Sequence, residues 1–136
     1  MFKIPLLKRN ILSQEFWEIE NYDLIICKNT LHHLSKSDQL SILKKLVRAG
    51  KNVIIIEIEN PLKYSFVSFI WNFYYRKFLK DDGVDFIDDE NFHNLLKKAK
   101  NKVPCMKTFL ASLKTIKGNY LFALIENYKK RAINNN

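Results

Sequence analysis

Two stretches constrain this chain more than any others: Tyr22 to Leu34, YDLIICKNTLHHL, and Val53 to Pro61, VIIIEIENP. In each, a short apolar run rich in β-branched residues stops abruptly at polar side chains. That is the pattern of a strand buried on both faces whose carboxyl end reaches the surface. Val53 to Ile58 is too short for an ordinary helix and nearly all β-branched. Between the two, Ser35 and Asp38 stand three apart as in a capping box, and Leu40, Leu43, Leu46 and Val47 recur at helical spacing. The spacing predicts a helix from Asp38 to Ala49 with Gly50 as its stop. Strand, helix, strand in this order is a crossover unit between parallel strands. The polar tips of such strands border the crevice where open α/β sheets bind ligands.

Downstream, Asn60-Pro61 supplies an N-cap and a first-turn proline for an aromatic helix from Tyr64 to Leu79, carrying Phe66, Phe69, Ile70, Phe73, Tyr74 and Phe78. Asp81-Asp82-Gly83 breaks it. Asp88 to Lys100 has acids in its first turn and lysines in its last, suited to the helix dipole, with Phe92, Leu95, Leu96 and Ala99 as its buried face. Met106 to Thr115 and Tyr120 to Ile125 flank the turn Lys117-Gly118-Asn119 and read as an antiparallel hairpin.

At 136 residues the chain is the size of one domain. Its 47% hydrophobic and 13% aromatic content excludes a disordered chain, and no apolar run reaches the length of an ordinary transmembrane helix. Lys and Arg outnumber Asp and Glu by 23 to 14. The densest basic cluster, Lys97, Lys98, Lys100, Lys102 and Lys107, reads as a solvated helical surface rather than a nucleic-acid site, since no aromatic platform is interleaved with it. Cys27 and Cys105 make neither a metal spacing nor a disulfide framework, and MFKIPLLKRN has no signal-peptide core, so the expected location is cytoplasmic.

With these elements in this order, the chain resembles the carboxyl-terminal half of a class I S-adenosylmethionine-dependent methyltransferase. In that family the fourth strand commonly runs aromatic residue, Asp, apolar run, polar group, then Leu-His-His-Leu or close to it. Tyr22-Asp23-Leu24 through Leu31-His32-His33-Leu34 follows that order. VIIIEIENP is similar to the fifth strand and its polar tip, and the terminal hairpin to the antiparallel sixth and seventh strands. The resemblance spans Asn10 to Glu126 and implies an α/β fold: a truncated Rossmann-like methyltransferase sheet with parallel central strands and a C-terminal antiparallel hairpin. It implies one domain over 1–128, followed by a polar tail over 129–136. The departure is at the cofactor cradle. The family's glycine-rich loop and the acidic residue ending its second strand have no counterpart here, because only Gly50, Gly83 and Gly118 occur and too few residues precede Tyr22.

The resemblance therefore implies S-adenosylmethionine as cofactor and methyl transfer to an unidentified acceptor, by a chain that depends on a missing amino-terminal half and is inactive in isolation. The alternative is a non-catalytic interaction or scaffold protein that keeps the sheet. By resemblance, Cys27, Lys28 and Asn29 line the methionine side of the cofactor, and Thr30 and Asn60 approach the acceptor. His33, Glu57 and Glu59 are the candidate proton acceptors, an imidazole titrating near neutral pH and two strand-tip carboxylates that share one direction. Each has a structural alternative: a turn role for Asn29, packing for one of His32 and His33, and a basic partner for either glutamate. The aromatic segment packs into the core, covers the acceptor as a lid, or rests on a membrane surface through Trp71 and Lys77. No metal site is expected, with His93 on a distant helix. The exposed edge of the first strand is expected to invite self-association or a partner chain.

Overall fold

The computed structural model describes residues 10–17, 22–60, 70, 73–74, 77–78, 83, 85–101, 106–115 and 118–127. Most of the aromatic segment, the tail and Cys105 lie outside them. Among the described residues four strands form one sheet: β1 (Tyr22–Lys28), β2 (Gly50–Ile58), β3 (Met106–Thr115) and β4 (Gly118–Asn127), in the order β1-β2-β4-β3. β1 runs parallel to β2, and the hairpin pairs antiparallel to itself and to β2. Helix α1 (Lys36–Ala49) links the parallel pair, and α2 (Asp89–Lys100) precedes the hairpin.

Local chemistry accounts for the helix ends. Ser35 sits extended before α1, its Oγ accepting the Asp38 N–H at 3.3 Å and donating to the Asp38 carboxylate at 2.7 Å. Asp88 caps α2 by accepting the Asn91 N–H at 2.8 Å. Gly50 ends α1 in extended backbone rather than the left-handed conformation expected of a helix-stopping glycine, and its Cα is crowded. A Cβ there would stand 2.8 Å from a Val53 methyl and 3.0 Å from an Ile25 methyl.

Both helices cover the same face of the sheet. Ile42, Leu43, Leu46 and Val47 of α1 and Phe92, Leu96 and Ala99 of α2 meet Cys27, Val53, Ile55, Leu121, Ala123 and Ile125 in one core. The other face departs from the expectation of a first strand buried on both sides. Leu24 and Ile26 are 49% and 61% exposed, as are Phe109 and Leu113, each at 62%. Residues in register share a face, so Ile26, Ile54, Leu124 and Phe109 form one apolar row across all four strands. The apolar run of β1 foretold burial on two faces because the sequence pattern is that of a sheet covered on both; the described helices cover one.

Candidate functional site at the strand tips

The carboxyl ends of β1 and β2 lie side by side, and β1 leaves the sheet through a sharp reversal. Asn29 takes a left-handed conformation (φ 48°) while its N–H donates to Ile56 O at 2.8 Å, so the chain turns while still tied to β2. Asparagine tolerates this region better than most non-glycine residues. Thr30 Oγ1 donates back to Lys28 O at 2.9 Å, and a single 3₁₀ turn, Leu31–His33, follows.

Glu57 organises that turn. Its side chain is fully buried, and Oε2 accepts the N–H groups of Thr30 at 3.1 Å and Leu31 at 2.7 Å. Oε1 accepts the Ile58 N–H at 3.0 Å and pairs with His32 Nδ1. A carboxylate without water is tolerable only when its lone pairs are met by donors, and these donors come from the turn it stabilises. His32 is buried in turn, its ring stacked on Phe86 with centroids 5.0 Å apart and planes 8° apart. Gln39, from the first turns of α1, donates to Leu31 O and Leu34 O at 3.1 Å and to Asp85 O at 2.7 Å, joining the turn to the segment before α2. The His32 carbonyl accepts the Asp85 N–H at 3.0 Å.

The expected site residues thus fall into two groups. Lys28, Asn29 and His33 are exposed at the tip, with Thr30 and Asn60 half-buried beside them. Cys27, Glu57 and Glu59 are buried. Burial, reinforced by the Glu57 charge and opposed by the Thr30 hydroxyl, pushes the Cys27 thiol up to about 11, so it is no nucleophile at neutral pH. Glu57 and Glu59 are both engaged, Glu57 with the turn after β1 and Glu59 with β4. Glu59 accepts from Asn119 Nδ2 at 3.2 Å, and its N–H donates to Asn119 O at 2.9 Å. Asn60 N–H donates to Ile87 O at 2.9 Å, continuing a parallel bridge between Glu59 and Ile87.

A cavity of about 380 Å³ opens beside the carboxyl end of β2, bounded by Lys36, Gln39, Asn60, Phe86, Asn91 and Lys98. Among the described residues no group of His, Cys, Asp and Glu is arranged to hold a metal ion, and no helix is long and apolar enough to cross a membrane. The roles of Gln39 and Phe86 were not anticipated from sequence, whereas a packed role for one of His32 and His33 was, and His32 takes it. Gln39 had a signal, since it stands four residues before Leu43 on the buried face of α1.

No family model and no curated protein matches this sequence. Solved structures do match its fold. An O-methyltransferase family protein from Burkholderia thailandensis aligns over 86% of this chain and 34% of its own, with a TM-score of 0.59 and 9% identity. The small RNA methyltransferase HEN1 aligns over 82% of this chain and 15% of its own, at 0.60 and 13%. The magnesium protoporphyrin IX methyltransferase from Synechocystis, with bound SAH, aligns over 84% and 49%, at 0.52 and 11%. The chain has a methyltransferase-like α/β fold and spans about a third or less of the first structures it matches.

Proposed function

We propose that this chain is the acceptor-side part of an S-adenosylmethionine-dependent methyltransferase, transferring a methyl group to an unidentified acceptor, and that it works only in complex with an amino-terminal half that completes the cofactor site. The observation that supports this most is the reversal at Asn29, tied to β2 and stabilised by buried Glu57, which holds Lys28 and Asn29 out at the tip of β1. The exposed ammonium and amide suit the carboxylate end of an amino-acid cofactor. Among the described residues no strand stands beyond β1 to hold the rest of such a molecule.

The bound cofactor would supply a sulfonium methyl group, which moves to the acceptor in an in-line displacement that depends on positioning. In this reading Lys28 and Asn29 orient the cofactor, Thr30 and Asn60 border the acceptor, and exposed His33 takes the acceptor's proton. Glu57 is a positioning residue acting through the turn, and Cys27 packs beneath it. Isothermal titration of the purified chain with S-adenosylmethionine is expected to show no micromolar binding. Binding is expected in the completed complex and to weaken at least tenfold with Lys28→Ala or Asn29→Ala. Absence of binding in that complex would leave the scaffold reading in its place.

A further inference from the structure

We infer that the cavity between α1 and α2 is a binding site for a small zwitterion, an α-amino acid with an aromatic side chain. The inference goes beyond methyl transfer and does not depend on it. At about 380 Å³ the cavity falls in the size range of small-molecule sites. Lys28, Asn29 and His33 do not line it, and of the residues expected at the strand tips Asn60 alone does. Helical spacing turns one side of each helix towards it: Lys36, Gln39 and Leu40 on α1, Asn91, Leu95 and Lys98 on α2.

The ligand's chemistry follows from which polar groups are already spent. Gln39 is buried, and the carbonyls of Leu31, Leu34 and Asp85 fix its amide, since only Nε2 can donate to them. Oε1 lies on the other prong and accepts no hydrogen bond among the described residues. Beside it, Asp85 is tied through its backbone to His32 and Gln39, while its half-buried carboxylate takes no donor among the described residues. A carboxylate and an amide oxygen, both unspent and partly shielded from water, suit an ammonium with its three N–H groups. Asp88, by contrast, is occupied by the N–H and Nδ2 of Asn91 at 2.8 and 2.7 Å. Lys36 and Lys98 are exposed, pair with no acid among the described residues, and suit a carboxylate. Leu40, Phe86 and Leu95 add half-buried apolar walls, with the Phe86 ring held by its stack on His32. A simple anion would meet the Asp85 carboxylate, and a simple cation the two lysines. A molecule carrying both charges and a flat apolar body matches every wall.

Isothermal titration of the full chain with L-phenylalanine is expected to give a dissociation constant below about 1 mM. 3-Phenylpropionate, which lacks the ammonium, and phenethylamine, which lacks the carboxylate, are each expected to bind more weakly by about tenfold or more. Asp85→Asn and Lys98→Ala are expected to weaken L-phenylalanine binding by about tenfold with an unchanged circular dichroism spectrum. Lys97→Ala, outside the cavity, is expected to leave binding as it is. No binding of L-phenylalanine, equal binding of either truncated compound, or indifference to both cavity substitutions would overturn the proposal. So would competition by S-adenosylmethionine, which would put the amino acid in the cofactor site instead.

Discussion

Glu57 shows how one buried charge can organise a site without taking part in its chemistry. Its two oxygens gather the N–H groups of Thr30, Leu31 and Ile58 and the His32 imidazole, so the tip of β1 is held by the tip of β2. Glu57→Gln removes the charge and turns an acceptor into a donor facing other donors. Breaking a buried pair in this way is expected to cost about 3–5 kcal/mol, read from urea unfolding. Cys27 below it carries a pH dependence. Its thiol is raised from the ordinary 9.0 to about 11 in the fold, so between those values the unfolded chain ionises first and holds fewer protons than the native one. Stability is therefore full below pH 9 and falls as pH rises towards 11, by about 2–3 kcal/mol. Comparison with Cys27→Ala isolates this part from lysine and tyrosine titration, and a variant with the same alkaline loss would refute it.

At the scale of elements, the helix ends were legible because capping is local. Ser35 with Asp38 and Asp88 with Asn91 needed only neighbours in the chain. Gly50 is different, since its role comes from strand β1 as well as from its own turn. With φ at −90° any residue could adopt its backbone, but an added Cβ meets Val53 and Ile25 at 2.8 and 3.0 Å. Gly50→Ala is expected to destabilise by about 1–3 kcal/mol through overpacking at the junction of α1, β1 and β2. Thermal unfolding would check it; an unchanged midpoint would mean that the junction yields freely.

Among the described residues the fold has two layers, a sheet with helices packed on one side. All-parallel sheets have both faces covered; in this mixed sheet the described residues leave the two ends of the apolar row, Ile26 and Phe109, exposed, with Ile54 and Leu124 half-buried between them. The exposed Ile70, Phe73, Tyr74 and Phe78 add to the apolar surface elsewhere on the chain.

The order and kind of the described elements could be read along the chain: two parallel strands around a capped helix, a second helix with acidic and basic ends, and a terminal hairpin. Hydrophobic period and caps act over a few residues, so they can be read along the chain. That Glu57 is enclosed by the turn it holds, that Gln39 ties α1 to Asp85, and that Leu24 and Ile26 are exposed became visible in the folded chain alone. Those outcomes depend on register between strands and on which face the helices choose. Such choices are made by packing across the sheet, where residues far apart in sequence meet.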